Sequence, residues 1–193
     1  MERNPKILII TYYWPPSGGG GVMRWLKMSK FLPELGWQPI IYTPENTDPS
    51  VIDESLLKEI HSDLVTLKTP IWEPYDVYRK LAGKKQGAKF KAGYISEASS
   101  GNWKSKLSVF IRGNFLIPDP RKFWIKPSIK YLTEYLKKNK VDLIVSTGPP
   151  HSMHLIGLKL KQKNPSLKWL ADFRDPWSEW GLLDSLMVGS VAR

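Results

Sequence analysis

The sequence predicts an α/β fold built on a parallel, doubly wound sheet. Three observations predict it: short isoleucine- and valine-rich runs of strand length, helix-period apolar stripes between them, and loops rich in glycine or proline after the runs. A strand covered on both faces reads as a continuous apolar run rather than an alternation. Parallel neighbours need crossover helices, so strands and helices should alternate along the chain.

Residues 6–13 form the first run, isoleucine-rich and followed by Pro15-Pro16-Ser17 and four glycines, as expected of a strand ending in a loop. Val22, Trp25, Leu26, Phe31, Leu32 and Leu35 then recur at spacings that suit one face of a helix, interrupted late by Pro33 and closed by Gly36. A second strand is expected over 38–43, a helix over 51–61 with Asp53 and Glu54 in its first turn, and a third strand over 64–67. From 72 to 119 the pattern weakens, with glycines at 83, 87, 93 and 101, so this stretch reads as a basic, partly irregular insertion. Regularity returns with a helix over 127–139, whose stripe is Ile129, Leu132, Tyr135 and Leu136, and a strand over 142–146. Another helix is expected over 151–163 and a fifth strand over 167–172, after which 173–193 reads as a loop and an apolar tail. The whole is Rossmann-like.

Composition narrows the function. The chain has 193 residues and no cysteine, which excludes a disulfide scaffold or a thiolate zinc module. Hydrophobic residues at 41% and charged ones at 24% are globular values, and no apolar run approaches the length of a membrane span. The N-terminus does not read as a signal peptide, so a cytoplasmic location is expected. The net charge of +11 is localised: residues 79–130 hold 13 Lys or Arg against Glu97 and Asp119, and the rest of the chain is neutral. Such a region either attracts phosphates, from nucleic acid, anionic lipid or a charged ligand, or is a solvated linker.

In open parallel sheets ligands sit beyond the carboxyl ends of the strands, so the loops there are the candidates. The first, Tyr12-Tyr13-Trp14-Pro15-Pro16-Ser17-Gly18-Gly19-Gly20-Gly21, places bare backbone ahead of a helix, a suitable cradle for an anion such as phosphate. It is not a dinucleotide fingerprint, since Met23 stands where a small residue is needed. No Gly-Lys-Ser/Thr follows either, so a Walker-type ATPase is excluded. The second loop, Ser146 to His154, carries His151 and His154 three apart at a helix start, without a nearby third donor for a metal. They are either functional or a helix cap and a surface residue. The third, Asp172-Phe173-Arg174-Asp175-Pro176-Trp177, brackets an arginine with two acids, as an internal ion pair, as catalytic groups, or as both.

Together these three loops, in this order, resemble the N-terminal half of family 4 glycosyltransferases. The segment Pro118-Asp119-Pro120-Arg121-Lys122-Phe123-Trp124 resembles one found in a bacterial branch of that family. The resemblance covers nearly the whole chain. It implies a GT-B enzyme, with two Rossmann-like lobes across a cleft, that retains anomeric configuration and needs no metal and no cofactor beyond the nucleotide-sugar co-substrate. Residues 1–180 would be the acceptor-side lobe and 181–193 an interdomain tail. The donor-binding lobe, with its paired glutamates, has no counterpart in these residues, which would be inactive alone. Gly18, Gly19, Gly20 and Gly21 would approach the donor diphosphate. Arg174 and Asp175 would occupy the catalytic position, where many relatives place a histidine. Trp14, Trp124, His151 and His154 would contact the acceptor, a glycan or lipid-linked glycan. The basic stretch, with Trp103, Phe110, Phe115 and Trp124, would then rest on the anionic inner face of a membrane. Two rivals stay open: a Rossmann-like module binding a nucleotide or phosphorylated ligand, and a basic membrane or nucleic-acid docking domain. Against nucleic acid, the charge forms no recognisable readout module.

Overall fold

In the computed structural model, the residues described are 3–47, 49, 51–74, 110, 114 and 116–175. Most of the basic insertion, including Lys84 to Lys91, Trp103 and Phe115, lies outside them, as do Pro176, Trp177 and the tail 181–193.

Strands β1 (Lys6–Ile10), β2 (Gln38–Pro44), β3 (Val65–Thr69), β4 (Leu143–Gly148) and β5 (Lys168–Phe173) form a parallel sheet in the order β3-β2-β1-β4-β5. This is the doubly wound α/β fold the sequence predicts. Each strand lies within a few residues of its expected place. The largest shift is at β1, which ends at Ile10, because Thr11 to Tyr13 leave the sheet towards the ligand end.

The connections are α1 (Gly20–Phe31), α2 (Ile125–Lys138) and α3 (Ser152–Lys163). Helix α1 packs on one face, where Val22, Trp25 and Leu26 meet Ile7, Ile9, Ile41 and Val145. Helices α2 and α3 cover the other, where Leu132, Met153 and Ile156 meet Leu8, Ile10, Tyr42 and Ile144. Because β1 is central, both of its faces are covered and Leu8, Ile9 and Ile10 are wholly buried. Among the described residues no helix is long and apolar enough to cross a membrane.

The helix expected over 51–61 is only a 3-10 segment, Glu54–Glu59. The Asp53 side chain caps it by accepting from the Ser55 amide at 3.1 Å. Leu56 is its one buried side chain, and a single apolar anchor does not provide the stripe that stabilises a longer helix.

The connection β1 to β2 runs to one side of the sheet and β4 to β5 to the other. The crevice between the carboxyl ends of β1 and β4 is therefore the topological switch point.

Candidate functional site at the carboxyl end of the sheet

The loop after β1 is stitched to the segment after β2. Ser17 pairs with Ile52 in an isolated bridge, the Gly18 amide donates to the Val51 carbonyl at 2.9 Å, and the Asp53 amide donates to Pro16 at 2.8 Å. Gly18 has no room for a side chain, since a β-carbon would lie 2.9 Å from Val51 Cγ1. Gly19 turns the chain into α1 with φ +90, a conformation that favours glycine. Gly21 packs on the Tyr13 ring, 2.9 Å from where its β-carbon would be. The four glycines thus have separate jobs: two permit close packing, one permits the turn, and Gly20 is left open.

Gly19 and Gly20 are exposed, and the first-turn amides of a helix have no acceptor within it. The Val22 amide donates to the Gly19 carbonyl at 3.2 Å, and no acceptor among the described residues reaches the amides of Gly20 and Gly21. Over it lies Arg174, whose Nη1 is 3.8 Å from the β-carbon position of Gly20 and 3.5 Å from that of Gly21. The Arg174 amide is anchored to the Gly148 carbonyl at 3.2 Å, and its Nη2 lies 3.6 Å from Asp175 Oδ2. A cation beside the positive end of a helix dipole is unfavourable alone, and becomes favourable when an anion sits between them.

The start of α3 is different. Asp119 fills it, accepting from the Ser152 amide at 2.8 Å and the Ser152 hydroxyl at 2.9 Å. Its carboxylate also caps the 3-10 turn Pro120–Trp124 by accepting from the Arg121 amide at 2.9 Å. Among the described residues no side chain accepts from the start of α1, whereas Asp119 accepts from that of α3.

The two acids expected to bracket Arg174 are separated. Alternation along β5 turns Asp172 to the α1 face, where it accepts from Trp25 Nε1 at 2.9 Å, Thr147 Oγ1 at 2.9 Å and Arg24 Nη1 at 2.6 Å. Asp172 is a clamp tying α1 to β4 and β5, and only Asp175 pairs with Arg174.

The acceptor-side candidates are corrected by burial. Trp124 is completely buried, stacked on Tyr42 with ring centroids 4.8 Å apart, and its Nε1 donates to Thr69 Oγ1 at 3.0 Å. Trp14 is buried in the core on the α1 face. Neither ring offers a face to a sugar. An isolated tryptophan near a loop is as useful to the core as to a ligand, and the large apolar area decided for the core.

His154 is buried as well. Trp169 Nε1, which can only donate, is 2.9 Å from Ser146 Oγ, and Ser146 Oγ is 3.0 Å from His154 Nδ1. We assign the imidazole proton to Nε2, because the serine hydroxyl can accept from the indole and donate its own O–H to Nδ1. Phe173 stacks on the ring at 4.0 Å, and Nε2 lies over Gly148 without a hydrogen-bond partner among the described residues. Burial, reinforced by the neighbouring His151, pushes the His154 pKa down to about 4, so the ring is neutral. His151 is half-buried beside it, and burial lowers its pKa despite the opposing charges of Asp119 and Asp175.

Sequence reasoning missed a buried ionic cluster at the same end of the sheet. Tyr12 OH donates to Glu73 Oε2 at 2.9 Å, Arg121 Nε faces Glu73 Oε1 at 2.9 Å, and the guanidinium lies over the Tyr12 ring at 4.7 Å. Burial pushes the Tyr12 hydroxyl far above the usual tyrosine range, although Arg121 pulls it down, so it stays a donor. These residues are far apart in sequence and share no spacing signal.

This chain is thus a doubly wound parallel α/β domain in which, among the described residues, no side chain caps the start of α1 beside Arg174 at the switch point. No family model matches the chain, and no curated protein matches it. It is similar to two solved structures of the C-terminal domain of a Pyrococcus furiosus hydrogenase. One is 15% identical with a TM-score of 0.47, the other 16% with 0.44, and each comparison covers 89% of this chain and 93% of the other.

Proposed function

We propose that this domain is the acceptor-side lobe of a retaining, nucleotide-sugar-dependent glycosyltransferase acting on a glycan or lipid-linked glycan at the cytoplasmic face of a membrane. The observation that carries the reading is the placement of the Arg174 guanidinium against the open amides that start α1. That arrangement suits the diphosphate of a leaving nucleotide, on which negative charge accumulates as its bond to the anomeric carbon breaks and the sugar passes to an acceptor hydroxyl. Fixed amides and a guanidinium aimed at developing charge lower the barrier without covalent chemistry. Asp175, beside Arg174, holds the guanidinium in place before the diphosphate arrives. Charge-assisted hydrogen bonds of this kind contribute about 1.5–3 kcal/mol each.

The test is calorimetric titration of the intact protein with inorganic pyrophosphate, together with turnover of nucleotide sugars. Gly20→Val suits it, because a β-carbon there meets nothing closer than Arg174 Nη1 at 3.8 Å, so the fold tolerates the change while the side chain covers the amides. Pyrophosphate affinity should fall at least about tenfold in Gly20→Val and in Arg174→Ala, which is about 1.4 kcal/mol. Unchanged binding in both variants removes the cradle, and with it the reading.

A further inference from the structure

Two positive groups face each other at the carboxyl end of the sheet. Arg174 Nη1 lies 3.8 and 3.5 Å from the β-carbon positions of Gly20 and Gly21, and the first turn of α1 carries the positive end of the helix dipole. Such groups repel, so other contacts must hold α1 and the end of β5 at this separation. Asp175 steadies the guanidinium, but it belongs to the same segment as Arg174 and cannot set the distance to α1.

Asp172 makes that connection. It stands two residues before Arg174, on the α1 face of β5, and its side chain is only 16% exposed. Oδ2 accepts from Trp25 Nε1 at 2.9 Å and from Thr147 Oγ1 at 2.9 Å, and Oδ1 accepts from Arg24 Nη1 at 2.6 Å. Arg24 and Trp25 belong to the second turn of α1, about 6 Å along the axis from its start. Long helical side chains point back towards the N-terminus, which carries both to the rim of the sheet. On the other side, Thr147 is the β4 residue paired with Asp172, and the next residue, Gly148, receives the Arg174 amide at 3.2 Å. One carboxylate therefore joins α1, β4 and β5 beside both Arg174 and its backbone anchor.

Only a carboxylate satisfies this set of donors. Trp25 and Arg24 can only donate, and they meet different oxygens of Asp172. An asparagine offers one acceptor oxygen and an NH2 group that only donates, so in either orientation its NH2 opposes one of the two.

We propose that Asp172 is the positioning residue of the anion cradle: it grips α1 behind its start and fixes the amides of Gly20 and Gly21 against Arg174. This rests on the reading of that helix start as the site of a nucleotide diphosphate. Asp172 does not touch the anion. Its own negative charge opposes one, so it serves the cradle through geometry alone.

The two effects have opposite signs. Electrostatics alone predicts that Asp172→Asn tightens anion binding, since it removes a negative charge and releases Arg24, whereas lost positioning weakens it. The experiment titrates the intact protein with inorganic pyrophosphate by calorimetry, with a thermal midpoint for every variant. Asp172→Asn should weaken binding about tenfold. Thr147→Val keeps the charge and removes one donor, so it should weaken binding about threefold with a midpoint near that of the parent, and it serves where Asp172→Asn fails to fold. In an Arg174→Ala background neither substitution should matter further, because the amides then bind without a partner at a fixed distance. Affinity at or above the parental value in Thr147→Val, or in a folded Asp172→Asn, overturns the proposal, while Gly20→Val still decides the cradle. An equal loss with and without Arg174 marks a general disturbance of the fold and also overturns it. No binding by the parent removes the cradle, and the positioning role with it.

Discussion

Gly157→Ala sets helix propensity against packing. Gly157 lies within α3, where alanine normally stabilises by about 1 kcal/mol over glycine. Its α-carbon, however, faces the indole of Trp169 on β5. An added β-carbon would lie 2.3 Å from Nε1, 2.8 Å from Cε2 and 3.1 Å from Ser146 Oγ. Ordinary carbon contacts need about 3.5 Å, so the indole must retreat by about 1 Å. A shift of that size carries the 2.9 Å bond from Trp169 to Ser146 out of range and uncouples His154 from its support. Overpacking costs about 1–3 kcal/mol, and a stranded indole N–H in a half-buried place adds about 1–2. With the propensity gain subtracted, Gly157→Ala should destabilise by about 1–4 kcal/mol. The assay is guanidinium unfolding with a check that the denaturant slope is unchanged. Trp169→Phe lacks the offending atoms, so in that background the same substitution should cost at most about 1 kcal/mol, and the difference is the coupling between the sites. An increase in stability on Gly157→Ala, or an equal loss in both backgrounds, refutes the reasoning.

Two further outcomes concern buried polar groups. Glu73→Ala removes the buried carboxylate that faces Arg121 Nε and accepts from Tyr12 OH, and should cost about 3 kcal/mol in the same unfolding assay, while Glu73→Ala combined with Arg121→Met should recover part of the loss. A loss under 1 kcal/mol, checked the same way, means the ion pair does not hold together the segments it joins. His154 has a folded pKa below that of an unfolded histidine, so the unfolded chain takes up its proton first as pH falls. The stability is complete above about pH 6.5 and is lost as pH drops to about 4, amounting to at most about 2–3 kcal/mol once solvent screening is allowed for. His154→Gln should flatten the stability profile in that window, and an unaltered profile would assign the acid sensitivity elsewhere.

The glycine-rich loop was legible because its chemistry is local. Four consecutive glycines between an apolar run and a helix stripe can only be a bare turn, and Gly19 and Gly20 are exposed at the start of α1 as that pattern implies. The Glu54–Glu59 segment was misjudged because length and charge at a helix start say nothing about whether a neighbour exists to cover its apolar side.

The sequence by itself determined the alternation of strands and helices, and therefore the parallel sheet and the end at which its loops gather. Apolar period and loop glycines are properties of neighbouring residues, and they survive any change in the surroundings. Only the tertiary structure decided which aromatic rings are available. Trp14 and Trp124 carry the same side chain as Trp72, yet two are spent in the core and one is presented to solvent, because the layer each segment lands against is chosen by contacts distant in the chain. It also decided that Asp119 closes one helix start while Arg174 attends the other. Charges set 33 and more than 150 residues from those helix starts meet them only when the sheet has brought the strand ends together.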